Sequence, residues 1–92
     1  MSVATTYEHI TLNRNGVPVI ENTNTKVVEI VLEMKAYGWS PEEIHFQHRY
    51  LSLGQIYSAL AYYFDHVQKF EKDIAARQAK AETIQGKIGK YV

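Results

Sequence analysis

Read for its apolar and polar positions, the chain divides into an N-terminal part with a period near two and a longer remainder with a helical period. Tyr7-Glu8-His9-Ile10-Thr11-Leu12 alternates, and Val17-Pro18-Val19-Ile20 is a second short run of β-branched character. Asn13-Arg14-Asn15-Gly16 separates them, and its Asn-Gly pair favours the positive φ angles of a tight turn. These features predict a β-hairpin over residues 7–20. Pro18 has no N–H to give to a ladder, so its strand should be an edge or should leave that nitrogen unpaired. A lone hairpin is unstable in water, and pairing with the hairpin of a second copy would complete a small sheet.

Beyond the polar Asn22-Thr23-Asn24-Thr25 loop, expected to supply an N-cap, Val27, Ile30, Val31 and Met34 recur at helical spacing. They predict a first helix from Lys26 to Tyr37 that stops at Gly38. Ser40-Pro41-Glu42-Glu43 opens a second, short helix to His48: Ser caps, Pro suits the first position and Glu43 reaches back in a capping box. Ser52 with Gln55 repeats the device and starts a third helix, Leu53 to Asp65, at the distance of a helix-turn-helix unit. The spacing predicts that Leu53, Ile56, Leu60 and Tyr63 or Phe64 face inward, leaving Gly54, Gln55, Ser58, Tyr62 and Asp65 outward. From Val67 the apolar positions are Val67, Phe70, Ile74, Ala81, Ile84 and Ile88, a heptad stripe with Arg77 in its middle. Gly86 and Gly89 weaken its end by about 1 kcal/mol each relative to Ala. The organisation expected is a dimerising body, residues 1–66, of hairpin and helix-turn-helix, and a C-terminal amphipathic helix, residues 67–92, that binds a partner.

Ten Lys and Arg balance ten Asp and Glu, but unevenly along the chain. Residues 1–66 carry four cations against seven acids, a net −3; residues 67–92 carry six against three, a net +3. A basic tail on an acidic body suits nucleic acid, and equally a partner with a negative cleft. The absence of cysteine excludes disulfides, a thiol nucleophile and thiolate-bound zinc, and fits a reducing compartment. The longest apolar run, Ala59 to Phe64, has six residues against the roughly 20 of a membrane span, so no membrane partner is expected. The N-terminal residues lack the basic start and apolar stretch of a secretory signal. A cytoplasmic protein is expected. A chain of this length buries only about 60 to 65% of its unfolded surface, which favours a homodimer.

Candidate chemistry is sparse. His45 and His48 lie one turn apart near Glu42, but two His and a carboxylate on a short helix occur readily by chance, and no metal or other cofactor is expected. Asp65 and His66 are sequence neighbours pointing about 100° apart with no nucleophile beside them, and no Gly-rich phosphate loop is present, so no catalytic residue is assigned. The seven tyrosines and Trp39 suit a small core or an interface better than base stacking. For DNA, Gln55 and Ser58 occupy base-reading positions on the third helix, with Ser52 and Arg49 beside its start. That helix carries no Lys or Arg, however, and a helix-turn-helix shape kept purely as scaffold is the favoured reading over weak or partner-assisted DNA binding.

Gly16-Val17-Pro18-Val19-Ile20, the Thr23 loop, Gly38-Trp39-Ser40-Pro41-Glu42-Glu43-Ile44 and Tyr50-Leu51-Ser52-Leu53-Gly54-Gln55-Ile56-Tyr57-Ser58-Ala59-Leu60-Ala61-Tyr62-Tyr63 resemble the bacterial domain-of-unknown-function 433 family. Its characterised members are VapB-like antitoxins. The resemblance spans residues 7–78 and implies a mainly α, homeodomain-like helix-turn-helix bundle with an N-terminal β-hairpin, a homodimer, and a PIN-like ribonuclease toxin as partner. One departure counts: where the family carries Gly-Thr-Arg, this chain has Asn22-Thr23-Asn24, so the Arg is missing, while Asn22 can still adopt a positive φ. The resulting expectation is a type II antitoxin whose C-terminal helix docks through Phe70, Ile74 and Ile84. The Arg77 fork would then face the carboxylates that hold the nuclease's metal. An Arg that snorkels from the edge of an ordinary helix seam would look the same in sequence. Operator DNA binding through Arg49, Ser52, Gln55 and Ser58 is a secondary expectation. A stand-alone helix-turn-helix transcription regulator and a non-catalytic assembly module are the alternatives.

Overall fold

A computed structural model describes residues 3–87, with side chains described for 3–79. Among these residues the order is β1 (Val3–Ala4), β2 (Ile10–Leu12), β3 (Pro18–Ile20), α1 (Val27–Tyr37), α2 (Pro41–Gln47), α3 (Leu53–Phe64) and α4 (Val67–Lys87). The strands form one antiparallel sheet in the order β1-β2-β3, with Ile10 opposite Ile20 and Leu12 opposite Pro18. Pro18 therefore lies on a terminal strand, where its missing N–H breaks no ladder.

The hairpin is shorter than its alternation predicts and carries a strand that the pattern does not announce. His9 has φ +68°, which turns the chain after Tyr7 instead of extending it. The Thr5 hydroxyl donates to the Ile10 carbonyl at 2.7 Å and closes that turn, laying Val3–Ala4 along β2. The free edge of β2 that a second copy's hairpin was expected to cover is thus covered from within the chain. In the β2–β3 turn only Gly16 takes a positive φ, +77°. The Asn13 side chain accepts the N–H groups of Asn15 and Val17, and Gly16 donates to the Asn13 carbonyl. The loop accordingly differs from the two-residue primed turn that Asn-Gly favours.

Helix ends follow local chemistry closely. Ser40 and Ser52 each accept the N–H three residues on, and Glu43 and Gln55 return a bond to the cap nitrogen. Gly38 ends α1 in the left-handed region at φ +67°. The cap of α1 is a correction: the cap residue is Lys26, its N–H bound by the Glu29 carboxylate, while the Thr side chains before it turn elsewhere. Thr23 Oγ1 donates to the Ile20 carbonyl and accepts from Thr25 N–H, and the buried Thr25 hydroxyl bonds Tyr50 Oη at 2.7 Å. Asn22 takes the positive φ expected of it, +65°.

Ile10, Ile20, Val27, Ile30, Val31, Ile44, Leu51 and Ile56 are almost inaccessible and form a core to which every element from β2 to α3 contributes. The face of α3 that enters it is Ile56, Ala59, Leu60 and Tyr63. Leu53 and Phe64, expected inside or as an alternative to Tyr63, stand out at 37% and 60% exposure, because the core-facing arc is centred nearly a quarter-turn away from them. α4 supplies a larger correction. Phe70 and Ile74 are buried against the chain's own core, at 7% and 5% exposure, so its first two turns belong to the body and the division at residue 66 cuts through a packed unit.

Candidate functional site

Two surfaces hold the residues that sequence reading singled out. The first is α4. The Phe70 ring meets Tyr62 and Tyr63 edge-on, with centroids 6.0 and 5.5 Å apart. One carboxylate oxygen of Glu71 receives both the Lys35 ammonium at 2.8 Å and the Tyr63 hydroxyl at 2.7 Å, which ties α4 to α1 and α3. The Lys35 ammonium, and after it the Tyr63 hydroxyl, hold the Glu71 carboxyl below the usual carboxylate range. The same contact raises Lys35, and the bond to Glu71 raises Tyr63.

Past Ile74 the helix leaves the core, and residues 75–78 are all exposed. Arg77 lies here with Nε donating to Asp73 Oδ2 at 3.1 Å, an i,i+4 pair in which both side chains are about half exposed. Of the four positions assigned to partner binding, Phe70 and Ile74 are already covered by their own chain, and Arg77 is exposed beside a local acid. Ile84 lies in α4, and its side chain is outside the described residues, as is all of Ile88.

The second surface is α3 with α2. The four residues assigned to DNA do not form an outward-reading row. Ser52 and Gln55 bind each other's backbone in the capping box, Ser58 is half-buried, and the Arg49 guanidinium lies 4.6 Å from the centre of the Phe46 ring. In their place the outer arc of α3 presents Leu53, Tyr57, Ala61 and Phe64, a stripe with no cation, while Phe46 on α2 is 66% exposed. The Tyr57 hydroxyl donates to Glu42 at 2.8 Å and fixes its ring against α2; that bond lowers the Glu42 carboxyl and raises the Tyr57 phenol. This stripe went unnoticed in sequence because two of its members seemed to belong to the core. Its signal was the i, i+4, i+8, i+11 spacing of Leu53, Tyr57, Ala61 and Phe64.

The remaining candidates disperse to separate partners. His48 Nε2 is bound by both Glu33 oxygens at 2.8 and 2.9 Å, Glu42 by Tyr57, and His45 Nδ1 has no hydrogen-bond partner, so this trio shares no centre. No group of three or more metal-ligating side chains converges among the described residues. Asp65 accepts from Tyr7 at 2.7 Å, while His66 Nδ1 bonds the Tyr62 carbonyl, so these two are not coupled. Among the described residues no helix is long and apolar enough to cross a membrane.

The fold is a small, mainly helical one with a three-stranded antiparallel sheet. The chain belongs to the family described as protein of unknown function, DUF433, whose model matches residues 6–63. No curated protein and no solved structure matches it. The match ends at Tyr63, before α4 begins.

Proposed function

We propose that the chain is the antitoxin of a type II toxin-antitoxin pair and captures a PIN-like ribonuclease toxin with the part of α4 beyond Ile74. The observation that carries this reading is that α4 continues for 13 residues after Ile74, the last buried position among the described side chains, about 20 Å of helix at 1.5 Å per residue. Its described positions there are exposed, and residues 67–92 carry a net +3. A ribonuclease that holds a divalent metal with clustered carboxylates presents the complementary charge. The pair with Asp73 leaves Arg77 available: exposed i,i+4 ion pairs contribute only about 0.3–0.5 kcal/mol, less than a buried bidentate contact with a carboxylate returns. The apolar anchors assigned to the nuclease groove are now the sequence positions Ala81, Ile84 and Ile88, in register with Ile74 and Arg77. Membership of the family supports the class of function. The outer face of α3 lacks the cations that duplex binding requires, so operator binding is no part of the proposal.

The test is metal-dependent RNA cleavage by the PIN-like nuclease that co-purifies with the chain, titrated with the full chain, with Arg77→Ala and with a chain ending at Gln78. The last keeps Phe70, Ile74 and the Glu71 contacts, and so retains the body. The full chain should inhibit. The shortened chain should not, and Arg77→Ala should inhibit about tenfold more weakly, the equivalent of one charge-assisted hydrogen bond. Equal inhibition by the full and shortened chains would overturn the reading.

A further inference from the structure

We infer that α4 carries, apart from its apolar stripe, a lysine ridge that holds the phosphodiester backbone of RNA without regard to sequence. Successive residues of an α-helix turn by roughly 100° and rise by about 1.5 Å. On that spacing Lys69, Lys72, Lys80 and Lys87 of α4 fall within one arc of about 80°, spread along about 27 Å of helix axis. The other positions of the arc are Ala76 and Thr83, so it holds no acid and nothing bulky. Its centre lies roughly a third of a turn or more from Phe70, Ile74 and Arg77, so a partner docked on the apolar side leaves the ridge uncovered.

A solvated helix face ordinarily mixes the two signs, with Glu and Lys paired at i,i+4. Here the acids of α4 lie off the arc, and two of them are already engaged. Glu71 receives the Lys35 ammonium, and Asp73 the Arg77 guanidinium. Lys69 and Lys72 are exposed and form no ion pair among the described residues. With His66 and Gln68 they line an open groove where α4 begins. Asp65 also lines it, bonded to Tyr7, and bounds the ridge at that end.

The form of the charge selects the partner. Clustered carboxylates at a metal site can face one or two lysines. A row of like cations about 27 Å long matches instead a polyanion whose charge repeats along a line, which is a nucleic acid strand. Ala76 and Thr83 offer no aromatic ring to stack on a base and no amide or guanidinium fork to read one, so the contact is to phosphate alone. The choice of RNA rests on the nuclease reading: a chain seated on a ribonuclease meets that enzyme's RNA at close range.

Fluorescence anisotropy of the full chain with two labelled single-stranded RNAs of unrelated sequence, each of about 20 nucleotides, tests the ridge across a salt series. Four cations on a single strand predict a slope of log K on log salt of about −3, the same for both sequences. Lys72→Gln and Lys80→Gln should each flatten that slope by about 0.7 and weaken binding about fivefold near 0.1 M salt, with the circular dichroism spectrum unchanged. Affinity indifferent to salt, variants that bind as the parent does, or a strong preference for one sequence would overturn the ridge. The occupant is decided in the host, where nucleic acid crosslinked to the full chain by ultraviolet light should be digested by ribonuclease and not by deoxyribonuclease. Crosslinked DNA instead, or no nucleic acid at all, would overturn RNA as the ligand. No nuclease is present in the anisotropy titrations, so their failure stands apart from a failure of inhibition, which alone judges the nuclease reading.

Discussion

Replacing Phe70 with alanine separates a helix that belongs to the body from one that only follows it. The ring is 7% exposed and packs edge-on against Tyr62 and Tyr63. Phe→Ala in a core costs about 3–5 kcal/mol, from lost transfer energy and the cavity left behind. Phe70 lies at the margin of the core, 7% exposed beside the half-buried Tyr62, so neighbouring rings can partly fill the gap, and the cost falls near the lower end, about 3 kcal/mol. A 92-residue domain is stable by about 5–14 kcal/mol, so this single change removes between a fifth and more than half of the total. Urea unfolding followed by the fluorescence of Trp39, which packs on the core, should show the midpoint falling with the slope unchanged. Thermal melting should fall by about 12–24 °C at 4–8 °C per kcal/mol for a domain of this size. A change below about 0.5 kcal/mol, as expected of an exposed position, would refute the placement of Phe70 and restore α4 as an appendage.

Glu71→Gln probes the clamp between α4 and the body. Because Lys35 and Tyr63 depress the Glu71 carboxyl, its contribution is fully present above the ordinary glutamate value of about 4.3 and is lost as pH falls through the lowered one; the variant should lose that share of the acid slope in urea midpoints. Lys35 runs the other way: its raised ammonium contributes fully below lysine's ordinary value of about 10.4, and the contribution fades as pH rises through the folded one. Asn22→Val should cost about 1–2 kcal/mol, since a β-branched residue resists φ +65°, while Asn22→Gly should be nearly neutral in the same unfolding assay. Ser40→Ala should cost about 1 kcal/mol through loss of the α2 cap. Arg77→Ala, by contrast, should change stability by less than about 0.5 kcal/mol, because its pair with Asp73 is exposed.

What could be read directly from sequence was mostly what is decided within one turn of chain. Both serine capping boxes, the stop at Gly38 and the bend at Asn22 depend on residues at most four apart, and they appear as expected. Two misses are local, the Lys26 cap of α1 and the form of the β2–β3 loop, and most of the others turn on tertiary choice. Periodicity identified the stripe of α4 but not what covers it, and the covering surface, Tyr62 and Tyr63, comes from another helix. The Glu71 clamp joins three helices, and no local pattern announces it. On α3, Tyr63 and Phe64 are neighbours of equal apolar weight, and only the position of α1 and the sheet decides which enters the core. The strand Val3–Ala4 is two residues long, too short for alternation to register, and depends on the left-handed turn at His9. On the candidate DNA residues, capping and base reading draw on the same polar groups of Ser52 and Gln55, and it is the cap that the structure shows them making.

The most direct test of the antitoxin reading is to recover the affinity-tagged full chain from its native host and identify what travels with it. The account predicts a small ribonuclease in near-stoichiometric amount, whose divalent-metal-dependent RNA cleavage emerges only when the chain is stripped away. A chain recovered without any nuclease, or with one that cleaves RNA at full rate in the complex, would contradict it.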